Sequence, residues 1–288
     1  MIRSHVLRLA GMLSSLVLGA TPLQPLLAGN VFVTGHDPDF HGVLGGNASG
    51  ARNIISRGLD FARNGNTAPI LYIQTSTVNN GLGDHTDSEA VLPLVGYTPG
   101  NTPGNHYVKV DATQFATTTL SNYSAIFIPS DHGGSLTGDD LAALNARAAD
   151  IQFYVNSGGG ILALSEDGNR TPASVGPQPT NFGYLPFVVS AGSVSQGESG
   201  FTVTPFGSSL GLTAADVNGN FSHAVFTPSG PFQIVDQDAA GQVITIAFAG
   251  LIPEPSGLVL GVVGFAGAFM SKRRRWCARS DSKLFCGA

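Results

Sequence analysis

The body of this 288-residue chain lacks cysteine, for its two thiols, Cys277 and Cys286, both stand in the terminal tail. That absence excludes a disulfide framework, a thiolate metal site and a cysteine nucleophile from everything upstream. Basic charge is scarce too. Residues 31–250 hold six Lys and Arg against 17 Asp and Glu, a net charge of −11, and such a body repels a phosphate backbone, so nucleic acid is not its partner. No array of internal repeats is visible, which argues against a purely structural matrix protein. What the chain does have is 42% hydrophobic residues, 38 Gly and 17 Pro. This is enough apolar material for one sizeable core, threaded through many turns.

The two ends read as addresses. Arg3 and Arg8 precede an apolar run from Leu9 to Ala20, and Thr21-Pro22 follows. A run of twelve residues is too short to anchor in a bilayer, and the order is that of a secretory signal. The first strand candidate starts at Asn30, which places processing after Ala28 and makes 1–28 the signal peptide. At the other end Pro253-Glu254-Pro255 leads into Gly257–Met270, fourteen apolar or small residues, and then Lys272-Arg273-Arg274-Arg275. As a helix the run covers about 21 Å at about 1.5 Å per residue, short of a hydrocarbon core of about 30 Å unless its flanks assist. The Arg block holds its end on the cytoplasmic side. An ordinary C-terminal membrane helix with a positive flank is the plainer reading. The three elements in this order, residues 252–276, resemble the PEP-CTERM sorting signal of Gram-negative bacteria, with Pro253, Glu254, Pro255, Arg273, Arg274 and Arg275 carrying the likeness. The resemblance implies Sec export, transient anchoring in the inner membrane and recognition by an exosortase-type membrane protease. Delivery to the periplasm, outer membrane or cell surface follows from it. Residues 277–288 extend beyond the usual end of such a tail.

Between the addresses, 30–250 alternates strand and helix patterns. "NVFVTG" (30–35), "PILYIQTS" (69–76), "HYVKVDA" (106–112), "SAIFIPS" (124–130) and "ILALS" (161–165) read as strands. Ala51, Ile54, Ile55, Gly58, Leu59 and Ala62 make one helical face, which Asn64-Gly65 ends. Ser88 to Tyr97 is a short helix, and the duplicated "TPGN" of 98–105 is a turn. A longer helix runs from Gly138 to Ser157, capped by Thr137 with Asp140 three residues on. Strand, helix, strand in this order implies a parallel sheet with right-handed crossovers. Beyond Glu166 the short runs "FTVTPFG" and "FQIVDQDAAGQVITIAF", with a hairpin at Asp238–Gly241, predict an appended antiparallel part packed on the same domain. The strand "SAIFIPSD", the helix ending in "YVNSGGGILAL" and "SHAVF" at 222–226 resemble the class I glutamine amidotransferase-like fold, including its ThuA-like members. The resemblance implies a flavodoxin-like parallel sheet flanked by helices. In its catalytic members a nucleophile follows the strand that here ends at Leu164, and the residue available is Ser165. Neither G-x-C-x-G nor G-x-S-x-G surrounds it, so amidotransferase chemistry is not expected.

Ligands of an open parallel sheet sit beyond the carboxyl ends of its strands. There the sequence delivers His36, Asp37, Asp39 and His41 after the first strand, Asp131 and His132 after "SAIFIPS", and Ser165 and Glu166 after "ILALS", with His223 from the later segment. Asp37 and Asp39 equally suit turns. The His36–His41 pair with its carboxylates has the donor types for a divalent metal, though no diagnostic third spacing. Asp131 and His132 suit a carboxylate-oriented base. Glu198 and the acids of 216–238 read as solvated surface. The leading expectation is an exported, surface-sorted protein that binds a small ligand or an envelope polysaccharide. The alternative is a metal-assisted or Ser/His hydrolase using His132, Asp131, Ser165 and His223.

Overall fold

The computed structural model describes residues 29–75, 88–131, 135–166 and 179–250. These form a mixed α/β unit around one large sheet. Its parallel strands are β1 (Val31–Thr34), β2 (Ile70–Ile73), β3 (Thr98–Pro99), β4 (His106–Val110), β5 (Ala125–Ile128) and β6 (Gly160–Ala163). The antiparallel strands are β7 (Ser190–Ser193), β8 (Thr202–Val203), β9 (Ala224–Thr227), β10 (Gln233–Gln237) and β11 (Val243–Phe248). Every residue of β1, β2, β5, β6 and β11 is buried, as expected of strands covered on both faces.

The period of two divides that burial. Val31, Val33, Leu71, Ile73, Ile126, Ile128, Ile161 and Ala163 face one core, closed by Leu141, Leu144 and Ile151 of α5 (Gly138–Ala146) and α6 (Ala148–Asn156). Phe32, Ile70, Tyr72, Phe127 and Leu162 face the other, under Ile54, Ile55, Leu59 and Ala62 of α2 (Ala48–Arg63). Helix α2 ends where the sequence signals: Asn64 turns left-handed at φ 47°. Thr137 and Asp140 form the reciprocal capping box at the head of α5.

Two expectations are corrected and one is made specific. The appended antiparallel part belongs to the same domain by continuing the sheet, in the order β3-β4-β2-β5-β6-β1-β11-β10-β8, with β9 joining β11 and β7 joining β9. The pairing that does this is β1 with β11, Val31 opposite Phe248, and both strands are wholly apolar or Thr, so each can be central. The helix of 138–157 is broken at Arg147, where φ is −106° and ψ 18°. Arg147 donates Nη1 to the carbonyls of Phe115 and Thr118 and Nε to Asp150, and these bonds hold the bend. The "TPGN" duplication is only partly a turn, for Thr98–Pro99 pairs with β4 as an edge strand.

The same β1–β11 pair decides where the body's two ends lie. Gly29 donates its N–H to the Val155 carbonyl, and Gly250 donates to Asn30 Oδ1 at 2.9 Å. Both ends therefore leave at the amino edge of the parallel strands, opposite the loops that follow Thr34. Among the described residues no helix is long and apolar enough to cross a membrane. Both address segments lie outside the described residues.

Candidate functional site

The site begins with a glycine. A Cβ on Gly35 would stand 1.8 Å from the Ala224 carbonyl oxygen, so only a residue without a side chain lets the 222–224 segment come this close. His223 N donates to the Gly35 carbonyl at 2.7 Å, and His36 bridges Ser222. This contact carries His223 to the end of β1.

Asp37 precedes α1 (Pro38–His41) but does not cap it. Its carboxylate instead faces two imidazoles, with His223 Nε2 3.1 Å from Oδ2 and His41 Nε2 3.4 Å from Oδ1. A third imidazole, His36, has Nε2 3.4 Å from Asp236 Oδ1. Asp236 was expected on the surface, yet it is 1% exposed. Register shifts on either side of it mark a β-bulge in β10, and a bulge re-aims a side chain. The cue in the sequence was an acid directly after Ile234-Val235 in a strand run.

The 3.4 Å contacts are ion-pair separations, and among the described residues both ring nitrogens of His36, both oxygens of Asp37, His41 Nδ1 and Asp236 Oδ1 are buried without an aligned hydrogen bond. Such groups cost about 1–3 kcal/mol each when left unsatisfied. Their concentration in one place makes this the candidate site. Gln196, at φ 63°, places its side-chain nitrogen 3.0 Å from His223 Nδ1.

The other sequence candidates are placed as follows. Asp39 is a brace. Its oxygens accept from Ser130 N, Ser130 Oγ, Ser88 Oγ and Phe40 N, tying the β1 loop to the end of β5. Burial lifts its carboxyl above the usual range, against those hydrogen bonds. Glu166 is committed to Phe182 N and Tyr184 Oη, both at 2.6 Å. Ser165 joins the His36 and Asp131 backbones, and its buried Oγ bonds no imidazole among the described residues. Positive φ among described non-glycine residues is confined to Asn64, Phe182 and Gln196, so Ser165 lacks the strained backbone of a nucleophile elbow. Asp131 is fully buried beside it. His132 lies outside the described residues, as do Pro253, Glu254, Pro255 and Arg273–Arg275. The sequence reading passed over one string of the elbow form, Gly207-Ser208-Ser209-Leu210-Gly211. Ser209 closes α7 (Pro205–Ser209), is exposed and donates to the Phe206 carbonyl, so no strand presents it.

Above the cluster opens a cleft of about 490 Å³, lined by His41, Gly46, Glu198, Phe201, Asn220 and Phe221 among others. The Phe201 ring is 5.2 Å from that of His36, and Phe221 is 5.9 Å from that of His41. A second cleft, of about 510 Å³, lies at the amino edge against Tyr154 and Gly159, away from these groups. Among the described residues no three His, Asp or Glu side chains are arranged to hold a metal ion. His36 and His41 turn to different carboxylates, so the metal reading of that pair gains nothing from the geometry.

Burial and charge set the imidazoles apart. For His36, burial is the largest single influence and opposes the cation, but Asp236, the Phe221 carbonyl and Asp37 together outweigh it and hold His36 above the usual imidazole range. For His41, burial wins over Asp37 and Asp39, with His223 and His36 adding to it, and the group is held low. The signs of their linkage to folding are opposite. The His36 contribution is full below its unfolded pKa and is lost as pH rises through the folded value. The His41 contribution is full above its unfolded pKa and is lost as pH falls through the folded value. NMR titration of the ring protons should find His36 titrating above and His41 below a free imidazole. Asp37→Asn, which removes the charge opposing burial, should move His41 further down.

No family model, no curated protein and no solved structure matches this chain.

Proposed function

We propose that the chain is an exported, exosortase-sorted protein of a Gram-negative cell envelope that binds a small ligand or envelope polysaccharide in the cleft above the Asp37 cluster. One observation carries the binding part. Segments far apart in the chain, 36–41, 196–201, 221–223 and 236, meet there, and among the described residues His41 Nδ1, His36 and Asp37 are buried with polar atoms that make no aligned hydrogen bond. A ligand that satisfies those groups recovers the cost of burying them. The Ser/His hydrolase reading has no comparable support, since Ser165 Oγ bonds no imidazole among the described residues. The strand–helix–Gly-Gly-Gly–strand run of β5, α5, α6 and β6 supports placing the sheet with the amidotransferase-like folds.

The position of the body's ends supports the sorting part. From Phe248 to the apolar run at Gly257 is nine residues, at most about 30 Å of extended chain. A tail anchored in the membrane thus holds the body by its amino edge and leaves the cleft at the far side. Replacing Pro253-Glu254-Pro255 by three Ala is expected to leave export intact and strand the protein in the inner membrane with its tail uncleaved. Fractionation with intact mass measures this, and an unchanged mature mass rejects the sorting reading. For binding, calorimetric titration of the protein with its host's envelope polysaccharide should give saturable heat that Asp37→Ala removes. Heat unchanged in that variant rejects the assignment of the cleft.

A further inference from the structure

The cleft offers acceptors, and the side-chain donors of Asn218, Asn220 and Ser222 on its walls are already committed. Asn220 Nδ2 donates to the Asn47 carbonyl and its Oδ1 accepts from Asn47 N. Asn218, on the same wall, donates to the carbonyls of Phe201 and Ala214 and accepts from Phe201 N. Ser222 Oγ is turned to Glu198. His41 Nε2 lies 3.4 Å from Asp37 Oδ1, and the tautomer of the neutral ring with its proton on that side leaves Nδ1 as an acceptor. That nitrogen is buried and has no hydrogen-bond partner among the described residues, on the side of Gly46, where a Cβ would approach it to 3.1 Å. Gly46 and His41 both line the cleft.

The second acceptor is Glu198. Its Oε1 takes Ser195 N and Oγ, its Oε2 takes only the 3.3 Å contact from Ser222, and it forms no ion pair with a cation among the described residues. These hydrogen bonds and that of its own backbone overcome its partial burial and keep its carboxyl below the usual range. Asp37 and Asp236 lie beneath, and no Lys or Arg lines the cleft among the described residues. The rim is aromatic: Phe221 is 52% exposed, an apolar face of the kind on which a pyranose ring lies.

An unpaired acceptor at His41, a carboxylate at Glu198 with no ion pair among the described residues and an open aromatic face together describe the complement of a positively charged sugar ring. The geometry points to an amino sugar with a free ammonium group, as in a deacetylated polysaccharide, bound with its ammonium between Glu198 and His41 Nδ1 and its ring against Phe221. This rests on the binding reading above and narrows it to one chemical class. An acetamido sugar replaces the ammonium by a neutral amide and brings a bulky acyl group to the same acceptors, and an acidic sugar brings like charge.

The test titrates the full chain calorimetrically with three probes: the β-1,4-linked glucosamine tetramer, its fully N-acetylated counterpart and spermidine. The glucosamine tetramer is expected to bind at least about tenfold more tightly than either of the others. Glu198→Gln, at a half-exposed position where folding is not at stake, should weaken it by about tenfold or more and leave the thermal melt in place. Phe221→Ala should weaken the tetramer but not spermidine. Acidification should also release the sugar, because protonating His41 turns its acceptor into a donor beside an ammonium. Asp37, Asp39, His36 and His223 face that ring and set where the release falls. Equal or tighter binding of the acetylated tetramer, or indifference to Glu198→Gln, overturns the inference while the binding reading stands. Spermidine binding as tightly as the tetramer shows charge alone at work and overturns the sugar assignment. No binding of either tetramer overturns the inference, while the binding reading is decided by the titration with the host's envelope polysaccharide.

Discussion

Arg63→Ala is expected to destabilise the protein by about 3–5 kcal/mol. Arg63 closes α2 and is only 8% exposed, and its guanidinium donates to six acceptors. Nε reaches the Asn66 carbonyl and Ser124 Oγ, Nη1 reaches Tyr97 Oη and Asn105 Oδ1, and Nη2 reaches the carbonyls of Ala68 and Gly104. These partners belong to the segments that enter β2, β4 and β5, so one side chain ties the amino ends of three strands to the helix above them. Truncation removes the donor from all six at once, and of the carbonyls only that of Ala68 keeps a side-chain donor among the described residues, Ser124 Oγ. Arg63→Lys should recover only part of the loss, because one ammonium has three donors and no planar fork. Urea denaturation with an unchanged m-value measures it. A loss below about 1 kcal/mol in the alanine variant would mean that solvent replaces the network.

Gly35→Ala should cost about 3 kcal/mol and remove the binding site with it. The added methyl meets backbone, the carbonyl oxygen of Ala224 at 1.8 Å and its carbon at 2.7 Å, so no rotamer change relieves the clash. The 222–224 segment must retreat, the hydrogen bonds from His223 N and Ala224 N to the Gly35 carbonyl go with it, and His223 leaves Asp37. Gly192→Ala in β7 is the control, since its nearest neighbour is Val225 Cγ2 at 3.7 Å, and it should fall within about 0.5 kcal/mol of the parent. Paired chemical denaturation and ligand titration test both. Wild-type stability in Gly35→Ala would show that β9 does not press on β1 as closely as the distances say.

Much of the candidate site was legible because it lies in the loops that any parallel α/β unit sends past its strand ends. His36, Asp37, His41 and His223 could be named from that rule alone. Asp39 and Glu166 could be named too, but not their work, since a carboxylate that ties loops together and one that awaits a ligand have the same sequence. Their hydrogen bonds to Ser88, Ser130, Phe182 and Tyr184 separate the two. Asp236 was misread because a bulge, and not the period of its strand, turns it inward.

The sequence by itself determined the local elements: the buried runs of β1, β2, β5 and β6, the face of α2 and its stop at Asn64-Gly65, and the Thr137–Asp140 box. Each depends on residues within a few positions of one another, where periodicity and capping chemistry act. Only the tertiary structure decided that β11 lies against β1, that the antiparallel strands extend the sheet, and that Asp37 stands between His41 and His223. Those contacts join residues as far apart as Val31 and Phe248, and their register is chosen by the burial of whole faces and by one glycine that lets two backbones touch.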